Sequence, residues 1–301
     1  MLAAIVRETG GPEVLRIEEA DVPEPGDGEV LVRISAAAVN PIDWKFRSGR
    51  VGKDLPAVLG SDIAGTVETS RAEGFAAGDP VFGFARTGAY AELAATPAIV
   101  IAARPAGLDP VHAAALPVAA LTAWQALFDH GGLERGQTVL VAGAAGGVGH
   151  LAVQFAKRAG ARVIGTASAR NRDHVLGLGA DEFIDYTTQD VAAAVSGVDV
   201  AFDTVGGDTG SALLPTVREG GVLVSIAGGG SEEDAAARGV RLARFSAKPD
   251  GAQLKEIGLL VAAGDVVVEI AEVLPFSEIA RAHELSESGH TRGKIVLSIP
   301  G

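Results

Sequence analysis

The chain has 301 residues, 48% of them hydrophobic, with 40 glycines and no cysteine; this supplies a sizeable core and enough length for two domains. Its 38 acidic and 25 basic residues leave a net charge of −13, and no block of lysine or arginine exceeds two, which argues against a nucleic-acid or anionic-membrane partner because phosphate surfaces need a positive face. Without cysteine there is no disulfide, thiolate nucleophile, cysteine-ligated zinc or iron–sulfur cluster.

The opening residues lack a basic stretch followed by a long apolar one, and no uncharged apolar run reaches 18 residues, so the expectation is a cytoplasmic protein acting on small molecules. Residues 1–40 read as β, with strands expected at 3–7, 14–18 and 29–38 between the turn clusters GGPE and PEPGDGE. Asn40-Pro41 breaks the third strand, and 42–46 predicts a short helix ending near Gly49. Further strands are expected at 57–68, 79–84 and 90–101, which makes a turn-rich β domain.

After Pro105 the period changes, with helices expected over 109–116 and 118–128. From Gln137 strands and helices alternate: strands near 137–143, 162–168, 182–187, 198–204, 221–227 and 239–247, with helices between the first five. This is the pattern of a doubly wound parallel sheet. The remaining helix (252–262), strand (266–273), helix (277–285) and strand (293–299) have no place in a six-stranded nucleotide domain, so they are expected to return to the N-terminal β domain. The resulting fold class is α/β, with domains at 1–120 plus 249–301 and at 121–248.

The stretch from Gln137 to Ser168 carries the chemistry. An apolar strand enters a turn of small residues, Gly143 to Gly149, and a helix follows. Small residues let the backbone approach a pyrophosphate, and the free amides and dipole of the helix start hold its charge. A second strand closes the βαβ unit in about 30 residues, the context that gives a glycine motif meaning. Ala144 stands where the first glycine of G-x-G-x-x-G is common, so the turn must enter with negative φ at that residue or be slightly wider. The end of the second strand discriminates between cofactors: an acid there accepts from the NAD ribose, whereas Ser168 and Arg170 suit the 2′-phosphate of NADPH. The alternative for Arg170 is a solvated residue in a helix's first turn, where the dipole disfavours it. Tyr186 either closes over the adenosine side or is a core-edge tyrosine.

With these residues the motifs Asn40-Pro41-Ile42-Asp43, Leu59-Gly60-Ser61-Asp62-Ile63-Ala64-Gly65, Gly88-Ala89-Tyr90-Ala91-Glu92, Leu121-Thr122-Ala123, the Ala142 to Gly149 turn and Arg292-Gly293-Lys294-Ile295-Val296-Leu297 resemble the zinc-independent, zeta-crystallin-like quinone oxidoreductase branch of the medium-chain dehydrogenase/reductase superfamily. The resemblance implies a GroES-like β domain joined to a Rossmann dinucleotide-binding domain, with the active-site cleft between them. It implies NADPH held by Thr122, Ala145, Gly146, Gly147, Val148, Ser168, Arg170, Tyr186, Val205, Ile226, Ala227 and Lys294. Zinc alcohol dehydrogenase relatives carry a Cys ligand where this chain has Asn40 and a His-Glu pair where it has Ser61-Asp62, so no metal site is expected.

Without a Lewis acid, the implied chemistry is hydride delivery to a quinone or enone, which is already electron-poor. Asn40 either hydrogen-bonds the acceptor carbonyl or caps the turn before proline. Lys45, where the family often has tyrosine, either stabilises a developing oxyanion or is a solvated helix lysine. Asp43 and Asp62 are expected to hold the site's shape. The other readings are an enoyl-thioester or alkenal reductase and a redox-inert NADPH-binding protein. The outer-edge strand near Val240 to Ser246, with Arg241 and Arg244 beside it, predicts a homodimer.

Overall fold

A computed structural model describes residues 1–300. The chain forms two compact units, Met1–Leu121 with Pro249–Gly301, and Thr122–Lys248.

The first unit opens on β1 (Leu2–Val6), a 3-10 turn at Pro12–Val14 and β2 (Arg16–Glu19). The strand expected from Val14 begins two residues later, because Pro12 presets a turn φ and the Leu15 amide closes back onto its carbonyl. Next come β3 (Glu29–Val39), α1 (Pro41–Arg47), β4 (Ala57–Val58), β5 (Asp62–Ser70), β6 (Pro80–Phe84), β7 (Leu93–Pro97) and β8 (Ile101–Ala103). The expected strand over 57–68 is split by Gly60, whose φ of +84° turns the chain. A Cβ there would stand 2.7 Å from the ring of Tyr90, so the same glycine also makes room for that side chain. The strand expected over 90–101 likewise divides, at a 3-10 turn over Ala98–Val100.

Then α2 (Pro110–Ala114) starts on Asp109, whose carboxylate accepts from the amides of Val111 and His112. A single helix is expected over 118–128; instead α3 (Pro117–Trp124) passes into a π-helical turn, Gln125–His130. There the Gln125 carboxamide donates to the Lys248 carbonyl and accepts from its amide, 2.9 Å each way.

The second unit alternates without a break: β9 (Thr138–Ala142), α4 (Gly149–Arg158), β10 (Arg162–Ala167), α5 (Arg172–Gly177), β11 (Glu182–Asp185), α6 (Val191–Ala194), β12 (Val198–Asp203), α7 (Asp208–Leu213), β13 (Val217–Ser225), α8 (Glu232–Ala237) and β14 (Arg241–Arg244). Its strands pair in parallel in the order β11-β10-β9-β12-β13-β14, the doubly wound arrangement whose central strands are buried on both faces. Helix α8 is an element that periodicity alone misses. Its signal is at the cap, where Ser231 accepts from the Asp234 amide and three acids fill the first turn.

The chain then returns through α9 (Gly251–Ala262), β15 (Ile270–Pro275), α10 (Ile279–Glu287) and β16 (Lys294–Ser298). β15 starts later than the expected 266, since Val266 and Val268 are buried ahead of the strand. β16 lies antiparallel on β3, and the larger sheet runs β15-β16-β3-β5-β6-β8, with β7 also on β3. Its core gathers Val30, Val32, Ile34, Ile63, Ile295 and Leu297, each contributing about 1.5–3 kcal/mol on full burial.

Candidate active site and dinucleotide cradle

Strand register builds the polar centre of the first unit. β3 ends at Val39, with Asn40 the next residue and the N-cap of α1. On one side Ala38 pairs with Asp62, the first residue of β5; on the other Val39 pairs with Ile295, one residue after Lys294 begins β16. Three adjacent strand ends therefore deliver residues 40, 62 and 294 to one spot. All three are buried. Asn40 Nδ2 donates to Asp62 Oδ2 at 2.9 Å, and Lys294 Nζ donates to Asn40 Oδ1. The ammonium is 3.8 Å from Asp62 Oδ2, and Asp62 Oδ1 accepts from the Val118 amide at 3.0 Å. Asp43, one turn along, accepts from the Asn40 amide (2.8 Å) and from the Tyr90 hydroxyl (2.7 Å).

The cradle of the second unit lies between β9 and α4. Positive φ falls on Gly143 (+72°) and on no residue that carries a Cβ, so Ala144 enters the turn as its side chain requires. A Cβ on Gly149 would stand 2.1 Å from the Gly143 carbonyl oxygen, which explains why helix and turn can close only on glycine. The N-cap of α4, Val148, has no side-chain bond to the helix amides; the His150 amide donates to the Gly146 carbonyl, and no capping side chain competes with an anion at the helix start. At the next strand ends, Asp203 accepts from the amides of Val205 (3.0 Å) and Gly206 (2.9 Å) and from Ser225 Oγ (2.9 Å). Ser225 Oγ in turn accepts from the Gly229 amide at 3.0 Å. Among the described residues of this unit, only Tyr186 (56%) and Val205 (57%) are large hydrophobic side chains left exposed. Both lie just past the carboxyl ends of strands, where a doubly wound sheet takes its ligand. An uncapped helix start, a glycine turn and two uncovered apolar side chains fit a dinucleotide.

Comparison with known proteins agrees with this geometry. Residues 26–106 match the alcohol dehydrogenase GroES-like domain, and residues 178–297 match the zinc-binding dehydrogenase family. The chloroplast envelope quinone oxidoreductase homolog of Arabidopsis thaliana is 35% identical over 96% of this chain and 95% of its own. This chain belongs to the quinone oxidoreductase family of the medium-chain dehydrogenase/reductase superfamily. The NADPH-dependent alkenal/one oxidoreductase of A. thaliana chloroplasts is 33% identical over 99% of this chain and 79% of its own. The quinone oxidoreductase of Escherichia coli, solved with NADPH, superposes with a TM-score of 0.92 at 30% identity, covering 99% of this chain and all of that one.

Within this quinone oxidoreductase fold the expected site residues divide. Asn40 and Asp43 share the buried centre with Tyr90 and Asp62, and Lys294, expected beside the cofactor, has its ammonium on Asn40. Asn40 is the N-cap of α1, paired with Asp43 in a capping box, and its side chain also spans Asp62 and Lys294. Lys45 is directed elsewhere; its ammonium lies 5.7 Å from the centroid of the Trp44 ring. Thr122 is buried at the start of the second unit, and Ala145 is buried while Gly146, Gly147 and Val148 are half-exposed in the turn. Ser168 starts the 3-10 turn that holds the exposed Arg170 and accepts from Asn171 Nδ2 at 3.1 Å. Ile226 and Ala227 follow β13, half-buried, on the loop that Ser225 ties. Sequence reasoning missed Tyr90 and the Asp203–Ser225 tie. Tyr90 sat in a recognised motif, but its partner is 47 residues away.

Burial pushes the Asp62 carboxyl up to about 7 and Asp43 to about 6, with Lys294, Asn40 and Tyr90 pulling back. Burial lowers Lys294, while Asp62 and Asp43 raise it. Beside them His283, buried edge-on to Tyr90 with ring centroids 5.6 Å apart, is driven down to about 3 by burial and by the Arg47 guanidinium. The signs oppose. The folded state holds fewer protons on His283 than the unfolded chain, so that contribution is present above pH 6.5 and is lost as pH falls toward 3, at about 1.4 kcal/mol per pH unit. The raised carboxyls work the other way, losing stability as pH rises from about 4 to about 7. Replacing His283 by Phe should shift relative stability in the variant's favour by up to about 2 kcal/mol between pH 7.5 and pH 5. Urea unfolding at the two pH values measures it, and a pH-independent difference would contradict the assignment.

Proposed function

We propose that this protein is an NADPH-dependent oxidoreductase that reduces quinones or α,β-unsaturated carbonyl compounds. The reading is carried by a dinucleotide cradle in one unit and, in the other, a buried amide fixed between an ammonium and a carboxylate at the positions where zinc relatives hold metal. Bound in the cradle, NADPH supplies a hydride to an already electron-poor acceptor. The amides at the start of α4 would hold its pyrophosphate and Tyr186 and Val205 would offer it apolar contact, while the Asp203–Ser225 tie holds the loop carrying Ala227. Asn40 has one Nδ2 hydrogen on Asp62 and directs the second at the acceptor carbonyl, where it stabilises charge developing on oxygen. Asp43, committed to the Tyr90 hydroxyl and the Asn40 amide, keeps α1 in place.

Zinc does not fit this donor set. The Lys294 ammonium lies against Asn40 and Asp62, and among the described residues no three His, Cys, Asp or Glu side chains converge. Purified protein should oxidise NADPH in the presence of quinones and enones, and chelators should leave the rate unchanged. No turnover across such a panel, or about one zinc per chain that tracks with activity, would refute the reading. We further infer a homodimer through the outer strand β14. Arg241 and Arg244 bond within their own unit, to the His130 carbonyl and to Glu232 and the Gly230 carbonyl, and so leave the strand edge for a twin. A monomer by light scattering at micromolar concentration would overturn this. No helix among the described residues is long and apolar enough to cross a membrane; a reducing, NADPH-supplied cytoplasm suits a chain with this chemistry.

A further inference from the structure

We infer that Lys294 is a positioning residue: its ammonium sets which end of the Asn40 carboxamide faces the acceptor. The inference rests on Asn40 holding the acceptor carbonyl. A carboxamide can sit in either of two flips, and only its neighbours decide between them. An ammonium donates and never accepts, so Oδ1 must face Lys294. Nδ2 then faces Asp62 at 2.9 Å and keeps one hydrogen for the acceptor. The carboxyl alone would not settle the flip, because a protonated Asp62 can donate as well as accept; the ammonium admits one answer in either case. Burial adds weight. Lys294 is 4% and Asn40 3% exposed, so water does not readily substitute for the missing donor if the ammonium is removed.

The position follows from register. Lys294 begins β16, Asn40 follows β3, and these strands pair antiparallel with Ile295 opposite Val39. In this inference the lysine acts through Asn40, a role distinct from the cofactor contact expected from sequence.

The test is a double-mutant cycle with Lys294→Met, Asn40→Ala and the two combined, alongside Lys294→Arg as the charge-retaining control. Lys294→Met should lower kcat with a quinone or enone about 10- to 100-fold, leave the Kd for NADPH within about twofold, and be partly rescued in Lys294→Arg. The combined variant should be no slower than Asn40→Ala alone. Additive losses, or an NADPH Kd that rises as kcat falls, would overturn the inference. Asn40→Ala with unimpaired turnover would instead sink the reading of Asn40 on which it rests.

Because Lys294→Met leaves two buried carboxyls without their cation, Lys294→Met/Asp62→Asn removes both charges and serves if the single variant does not fold. It should show the same kcat loss with unchanged NADPH affinity, and wild-type turnover in it would overturn the inference. A readout without cofactor or acceptor is also available, since the chain has two asparagines, Asn40 and Asn171. With 15N-asparagine, the Asn40 side-chain pair, assigned by its loss in Asn40→Ala, should show one slowly exchanging hydrogen in wild type. That protection should fall at least tenfold in Lys294→Met, and unchanged protection counts against the role.

Discussion

Arg170→Ala should raise the Michaelis constant for NADPH about 10- to 100-fold and leave that for NADH nearly unchanged. The two cofactors differ only at the 2′ position, and a charge-assisted contact there contributes about 1.5–3 kcal/mol, with about 1.4 kcal/mol to each factor of ten. The structure separates the two nearby arginines. Arg172 places its guanidinium 5.4 Å over the Phe183 ring, whereas Arg170 is exposed in the turn that Ser168 begins. It also accounts for a carboxylate on the adjacent strand. Ala167 pairs with Asp185 on the neighbouring strand, but Asp185 accepts from the Thr187 amide and hydroxyl and from the Thr188 hydroxyl. A carboxylate committed in this way is poorly placed to take the ribose hydroxyls of NADH.

Ser168→Asp supplies the missing acid at the N-cap of the 3-10 turn, where the serine side chain makes no bond to the turn's amides and its bond from Asn171 Nδ2 can pass to a carboxylate oxygen. It should move preference toward NADH. Ala167 is the wrong place for that change, being buried at the end of β10. The ratio of kcat/KM with the two cofactors in wild type and both variants is the measurement. Equal losses with NADPH and NADH would reduce Arg170 to a structural residue.

Two alanine substitutions in the glycine turn should both weaken NADPH binding but differ in their effect on stability. Gly149→Ala puts a methyl 2.1 Å from the Gly143 carbonyl oxygen and 2.8 Å from Ala144 Cα. Both are backbone atoms, so the turn itself must move, at a cost of about 1–3 kcal/mol or more. The melting temperature should fall by several degrees, and NADPH binding should be lost with the distorted cradle. Gly146 is different. Its nearest neighbour would be the Gly143 oxygen at 3.3 Å, and its φ is not positive, so Gly146→Ala should fold with near wild-type stability. Its methyl instead occupies the space where backbone and pyrophosphate approach closely, and NADPH affinity should fall at least about tenfold, with the thermal stabilisation given by NADPH shrinking in step. Wild-type NADPH binding by Gly146→Ala would mean that the pyrophosphate lies elsewhere.

The sequence by itself determined the nucleotide unit almost completely. Apolar strand, small-residue turn and helix are local signals, and six strands in βα alternation leave few topologies for a parallel sheet. The residues beside the cradle could be named for the same reason, since they follow strand ends at predictable places. Helix α8 escaped because it is short and marked by its cap more than by its period. Tertiary structure alone decided the polar centre of the first unit. Asn40 and Lys294 are 254 residues apart, and nothing near either one says that β16 pairs with β3 in the register that brings them together. The role of Tyr90 depended on Asp43 across the fold and on Gly60 clearing its ring, and His283 is held neutral by burial among residues from distant elements. Helical and strand periods are written within a few residues, whereas antiparallel register between remote strands, and the protonation state of a buried group, are properties of the packed core as a whole.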